Sequence, residues 1–241
     1  METDKKYKLT DECITIGDKK LYRIESLKDF AFIKKGDKGG FVESEENLSQ
    51  VGSCWIYNDT KVCGNAWVYG DAKVFGDAEI YDNVRVFGDA EIYDNVRVYG
   101  NAWVFGDAKV YGNAQVFKNA RVYGNARVYG NAMVYGNACV FGDAEICDNV
   151  RVYGNAEVFG NVYIKGDADI SSISDYIFFK NWWSSGRCFT WTRSNNMWSV
   201  GCFYGTGKEL IEKAYKDSEL SGREYKRVVD YVESVLKEIK S

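Results

Sequence analysis

Residues 122–139 read VYGNARVYGNAMVYGNAC, three copies of one six-residue unit laid end to end. The consensus is [VI]-[YFC]-G-[ND]-A-x, and the six-residue period runs without insertion through 19 hexads from Ile56 to Asp169. Asn or Asp fills the fourth place of every hexad, from Asp59 through Asn65 and Asp71 to Asp167. Self-similarity at a short period marks a solenoid, and a period of six marks a parallel β-helix. In a strand, alternate side chains face opposite sides. Across Ala72-Lys73-Val74-Phe75, Ala72 and Val74 therefore share one side, and Lys73 and Phe75 the other. Charges fill the x position too often for that side to be a dry core. Ala and Val go in; x and the aromatics go out.

The Gly-Asn or Gly-Asp pair turns each corner, because glycine, and after it Asn and Asp, tolerate positive φ. A turn every six residues gives a triangular coil of 18 residues and, from 19 hexads, about six coils. At ~4.8 Å per rung the prism is roughly 30 Å long. This pattern resembles the hexapeptide-repeat superfamily, and the resemblance implies a left-handed coil.

Hexads three apart stack, so each outer face is a column. The first carries Lys73, Glu91, Lys109, Arg127 and Glu145 beside Phe75, Tyr93, Tyr111 and Tyr129. The second carries Lys61, Glu79, Arg97, Gln115, Met133 and Arg151 beside Tyr81, Tyr99, Phe117, Tyr135 and Tyr153. The third alternates tryptophan with arginine: Trp67, Arg85, Trp103, Arg121, then Cys139 and Glu157, beside Tyr69, Phe87, Phe105, Tyr123, Phe141 and Phe159. Two readings of this column stay open. It is a self-stabilising ladder of cation–π and ring contacts between rungs, or it is a docking surface rich in interface hot-spot residues.

A nonamer, AEIYDNVRV, occurs at 78–86 and 90–98 and nearly recurs as AEICDNVRV at 144–152. Its copies fall on two different faces, so it reads as architecture rather than a binding motif. Cys63, Cys139 and Cys147 point outward from three different faces and form no metal or disulfide column.

The chain divides into an N-terminal β cap (1–49), the β-helix (50–170) and a C-terminal α+β domain (171–241). In the cap, ITIGDKKLYRI (14–24) reads as a hairpin and GDKGGF (36–41) as a tight loop entering the first coil. Beyond the repeats, YIFFKNWW (176–183), RCFTWTR (187–193) and MWSVGCFY (197–204) read as three strands separated by SSG and SNN turns. Two helices follow, opened by capping boxes Thr206-x-x-Glu209 and Ser221-x-x-Glu224. The second shows Tyr225, Val228, Val229, Val232, Val235, Leu236 and Ile239 at helical spacing. The fold class is mainly β: a parallel β-helix with an N-terminal β cap and a C-terminal β-β-β-α-α domain. That domain holds Trp182, Trp183, Trp191 and Trp198 with Arg187 and Arg193, read either as its core or as a pocket stacking a base between Trp and Arg.

Composition narrows the function. The 241 residues carry a net charge of −4, with 10 basic and 15 acidic residues in 56–170 and 11 and 9 in 171–241. That balance argues against direct nucleic-acid binding. No run is long and apolar enough for a signal core or a membrane span. Seven cysteines without a C-x-x-C pair fit reduced thiols in a cytosol. There is no proline, and no histidine either, which removes the commonest general base and metal ligand. Acyltransferases and carbonic anhydrases built on hexapeptide coils resemble this chain in the repeat but rely on histidines that it lacks. Carboxylates such as Asp82 and Asp94 sit at solvated turns. No catalytic residue, cofactor or metal is expected.

LYRIESLKDF (21–30), GDKGGFVESEENLS (36–49), the VYGNA repeats and GCFYGTGKEL (201–210) together resemble hexapeptide-repeat proteins of bacteriophages and prophages. The resemblance implies a protein acting in the bacterial host cytosol. The expected function is a non-enzymatic binding protein that docks on a host protein or ribonucleoprotein complex and inhibits it, as an anti-CRISPR does. The alternatives are sequestration of a nucleotide signal through Trp and Arg surfaces, and a structural or polymer-forming scaffold. A homo-oligomer is compatible with all three.

Overall fold

The computed structural model describes residues 5–183 and 186–240. Twenty two-residue rungs, from Trp55–Ile56 to Asp169–Ile170, stack into three flat parallel sheets. They make about seven turns, against the six expected, because the coil starts before and ends after the strict hexad pattern. Each rung pairs with the rung 18 residues on, as in Lys73 to Glu91 to Lys109. Inward Val and Ala positions such as Val104, Ala108 and Val110 are fully buried, and with Ile80, Ile92 and Ile146 they form one continuous core.

Every corner repeats one backbone conformation at the third place of the hexad. Where that place holds glycine, φ is positive, for example 72° at Gly76 and 74° at Gly112. In the five hexads without glycine there, Asn58, Asp82, Asp94, Lys118 and Asp148 adopt the same left-handed φ, between 52° and 67°. The conformation belongs to the corner; glycine is its easiest occupant. A Cβ added at Gly76 would also lie 2.9 Å from the Asp94 backbone nitrogen of the next coil, so the corners are tight as well as left-handed.

Parallel stacking gives the solenoid two chemically different ends. Most N–H groups of each hexad point toward later coils, as in Trp67 N–H to Val84 O, Tyr69 N–H to Val86 O and Asp71 N–H to Gly88 O, so carbonyls predominate at the start and N–H groups at the finish. Buried edge groups need partners, and each end supplies the matching kind. At the start, the Asn47 side-chain amide donates to Gly64 O and Ala66 O at 2.9 Å each. The buried Lys6 ammonium donates to Cys54 O (2.9 Å) and Gly52 O (3.3 Å). At the finish, Tyr163 N–H donates to Thr190 Oγ1 (3.1 Å) and Asp169 N–H to Ser194 Oγ (2.8 Å).

The N-terminal hairpin pairs β1 (Tyr7–Ile16) with β2 (Lys19–Ser26) around Gly17-Asp18. The expected loop at GDKGGF is instead part of a strand, β3 (Lys38–Val42), antiparallel to β2 and parallel to the Lys61–Val62 rung. Its glycines answer a packing need rather than a turn. A Cβ at Gly39 would meet Ile24 and Ile56 O at 2.6 Å, and one at Gly40 would meet Thr60 O at 2.5 Å. This strand joins the cap to the second face in one ten-stranded sheet.

After a 3-10 turn (Ile173–Asp175) the C-terminal sheet runs Tyr176–Lys180, Cys188–Thr192, Met197–Val200 and Phe203–Gly205, all antiparallel. The run MWSVGCFY is therefore two strands folded at Gly201-Cys202, not one. One face, with Thr190, closes the last coil; the other packs Phe189, Trp191, Trp198 and Val200 under helices α1 (Gly207–Asp217) and α2 (Glu219–Lys240). The Thr206 and Glu209 capping box opens α1. The box expected at Ser221 falls inside α2, which starts a turn earlier, with Ser218 Oγ accepting from Ser221 N–H at 3.0 Å. Ser184 and Ser185 of the expected SSG turn and the Ile239 side chain lie outside the described residues.

Candidate functional site

The third face assembles as the column arithmetic requires: Trp67, Arg85, Trp103, Arg121, Cys139 and Glu157 are register neighbours on successive rungs. The Arg85 guanidinium lies 5.4 Å from the Trp67 ring centre, and that of Arg121 5.5 Å from Trp103. Trp67 stacks on Tyr69 at 4.1 Å, while Trp103 meets Phe87 and Phe105 edge-on at 6.1 and 6.4 Å. Both indoles stay open to solvent, at 38% and 40% exposure.

Behind them the aromatic column is a continuous stack. Tyr69, Phe87, Phe105, Tyr123 and Phe141 follow one another at 4.8–4.9 Å, the rung spacing, with rings within 9° of parallel. The second face repeats this from Tyr81 to Tyr153, and the first from Tyr93 to Tyr129. The half-buried rings are thus structural on all three faces.

What separates the faces is charge. On the first, Glu91 holds Lys109 at 2.7 Å and Lys73 at 3.9 Å, and Glu145 holds Arg127 at 3.0 Å. On the second, Glu79 sits 3.3 Å from Arg97 and 3.9 Å from Lys61, and Arg151 grips Asp169 at 2.6 Å. On the third, Arg85 and Arg121 have no carboxylate partner among the described residues; each faces an indole. Their charges still reach nearby groups. Burial pushes the Tyr69 hydroxyl up and the Arg85 cation pulls it partly back; the Cys139 thiol is raised by burial and eased by Arg121.

An amide ladder borders the third face along one corner. Each Asn side chain donates to the next, Asn65 to Asn83 (2.9 Å), Asn101 (3.0 Å), Asn119 (3.2 Å), Asn137 (2.9 Å) and Asn155 (3.0 Å). Beside its first members a recess of about 400 Å³ is lined by Glu46, Asn65, Trp67, Asn83 and Arg85. At the other end Phe178, 40% exposed, lies over the Gly160 corner and prolongs the exposed aromatic strip. Neither the ladder nor Phe178 was anticipated, although the 18-residue spacing of the asparagines is visible in the repeat.

Of the C-terminal candidates, Trp182 and Trp183 come together at the surface. Trp191 and Trp198 are 2% exposed in the domain core, Trp191 with its Nε1–H bonded to Asn196 Oδ1 at 2.9 Å, so neither can touch a partner in this conformation. Trp183 stacks on Phe189 at 5.8 Å and meets the 84% exposed Trp182 edge-on at 6.3 Å, and the two line one groove with Phe179, Arg227 and Tyr231. Arg187 lines another groove, of about 420 Å³, with Asp143, Glu145 and Tyr163, and Arg193 lies exposed in the turn after Thr192. Among the described residues, Arg187 and Arg193 stand apart from the groove that Trp182 and Trp183 line.

Cys63 and Cys147 correct a simpler expectation. They leave the solenoid interior but are not exposed: Cys63 packs against Leu21 and Phe41 of the N-terminal cap, and Cys147 beside Tyr163.

The chain is similar to the YdcK beta-solenoid repeat family over residues 90–106, 120–136 and 126–142. No curated protein matches it.

Proposed function

We propose that this protein is a non-enzymatic binding rod that docks on a macromolecular partner through its third face, with Trp67, Arg85, Trp103 and Arg121 at the centre. The observation that carries this reading is the ion-pair pattern. The outward rung cations of the other faces are neutralised by carboxylates one coil away, whereas Arg85 and Arg121 are left to two exposed indoles. Two unneutralised guanidiniums between exposed rings favour a partner that offers acidic groups and flat apolar surface. The phage resemblance adds a host macromolecule, with a defence ribonucleoprotein as the sharpest case, and the hexapeptide-repeat resemblance adds a left-handed coil. Occupied ends count against the polymer reading, and the separation of Arg187 and Arg193 from the groove of Trp182 and Trp183 counts against a nucleotide sponge.

The test is crosslinked capture from expressing bacteria with wild type, Arg85→Glu/Arg121→Glu, and Arg97→Glu/Arg127→Glu as the control on the other faces. The proposal expects one partner retained by wild type and control and lost by the third-face variant. Equal retention by all three, or loss only when 176–241 is deleted, overturns it.

A further inference from the structure

Lys6 is 1% exposed and Cys54 fully buried, and the amine nitrogen of one lies 3.3 Å from the sulfur of the other. The lysine is there for the reason given above: the first coil presents unpaired carbonyls, and an amine satisfies Gly52 O and Cys54 O. The thiol was thereby drawn into the same compartment, within 3.6–3.9 Å of Ser49 O, Val68 O and Val51 O. No carboxylate among the described residues forms an ion pair with Lys6; the Phe30 ring lies 5.2 Å away. Burial holds the Lys6 ammonium below its usual range, with Lys28 adding to that and Cys54 and Asp71 opposing it. Burial thus eases loss of the ammonium proton at a nitrogen that already touches the sulfur. Cys54 directly follows the exposed Val51 and Gly52 and the half-buried Ser53, with Val51 79% exposed. A local opening of that segment would give a molecule the size of peroxide its route in.

We propose that Lys6 and Cys54 form a peroxide-driven covalent staple, an S–N sulfenamide, that locks the N-terminal strand onto the first coil. In the first step hydrogen peroxide oxidises the Cys54 thiol to a sulfenic acid: sulfur loses two electrons, the O–O bond breaks, and one water leaves. In the second the Lys6 nitrogen lone pair attacks that sulfur. The S–N bond forms, the S–O bond breaks, and the hydroxyl leaves as water with a proton from the amine. Peroxide is the sole oxidant. An added thiol reverses the staple by attacking sulfur, and the amine is released. Burial protects the sulfenic acid from other thiols, and the adjacent amine is the nucleophile already in place. Among the described residues Cys54 is the thiol hydrogen-bonded to an amine; Cys13 and Cys202 are exposed and serve as internal monitors of oxidant exposure. The link closes a chain segment of 48 residues, which restricts the unfolded chain and raises stability.

The experiment treats the full-length protein with hydrogen peroxide, digests it without reductant and maps linked peptides by mass spectrometry. The result expected is a Lys6–Cys54 peptide pair lighter than the sum of its parts by two hydrogens, abolished by a thiol reductant and absent from Lys6→Arg and Cys54→Ala. The melting temperature of wild type should rise on oxidation and return on reduction. Oxidation of Cys13 and Cys202 while Cys54 stays a thiol, or becomes only a sulfinic or sulfonic acid, overturns the proposal. So does a linked pair carrying an extra oxygen, since the bond would then be N–O–S. The linked-peptide mass, its loss on reduction and the melting shift are all read on wild type, so they stand even if a variant fails to fold.

Discussion

Asp94 Oδ2 accepts a hydrogen bond from the backbone N–H of Gly112, 3.1 Å away and one full coil further on. Asp82 does the same for Gly100, and Asp148 for Gly166, both at 2.9 Å. These are the three copies of the repeated nonamer. At each, a non-glycine residue stands at a left-handed corner, and its carboxylate reaches the next corner to compensate. The Val84, Val96 and Val150 that accompany them fill the core where most other hexads place alanine.

Replacing Asp94 by alanine keeps the unfavourable φ of 67° and removes the bond. The expected loss is about 1–2 kcal/mol, and Asp94→Gly should lose less, because glycine accepts that φ freely. Chemical denaturation midpoints of the two variants test the order; an alanine variant as stable as the glycine one would contradict it.

Phe105 sits between Phe87 at 4.8 Å and Tyr123 at 4.9 Å. Phe105→Ala breaks two stacked pairs at ~0.5–1.5 kcal/mol each, so a loss of about 1–3 kcal/mol is expected. Phe105→Tyr keeps the stack and should melt close to wild type. Thermal unfolding followed by circular dichroism measures both.

Alkaline pH should open the rod through the same columns. Burial raises the hydroxyl pKa of Tyr93, Tyr99, Tyr111, Tyr123 and Tyr129 in the folded state. A raised acid contributes stability that is intact below its unfolded pKa, about 10, and is lost as pH climbs toward the folded value. The melting temperature should therefore hold to about pH 9 and fall beyond about pH 10. A Tyr93→Phe/Tyr111→Phe/Tyr129→Phe variant should fall less steeply, and an identical profile would refute the assignment.

The tryptophans should divide by location. Trp191→Ala empties a buried site under the helices and should cost about 3–5 kcal/mol. Trp103→Ala removes a partly exposed ring, one cation–π contact and two edge-on ring contacts, with a loss of about 1–2 kcal/mol. Comparable melting shifts for the two would show that Trp103 is a structural element rather than a displayed one.

The solenoid was legible in the sequence because each hexad encodes its own rung: period, corner and inward pair recur locally, and addition of 18 places Arg85 beside Trp103. The column of the third face followed from the same arithmetic, and so could its missing carboxylates have done. Features that depend on partners distant in sequence were hidden. Gly39 and Gly40 look like turn residues until β2 and the first rung are seen pressed against them. Lys6 looks like a solvated N-terminal charge, since nothing nearby announces the carbonyls it will meet. Trp191 and Arg193 share a strand parity, yet the helices cover one and leave the other outside.

The strict vertical register has a consequence at the level of the gene. Recombination between the identical segments at 78–86 and 90–98 would add or remove twelve residues. That is two corners, so everything downstream would swing to a different side of the prism, and the tryptophan column would be cut in two. A slip of 18 residues would leave every side in phase and change only the length of the rod, and hence the span between its two closed ends. Repeat expansion therefore keeps the three faces aligned only in whole coils, each of which lengthens the rod by one rung spacing.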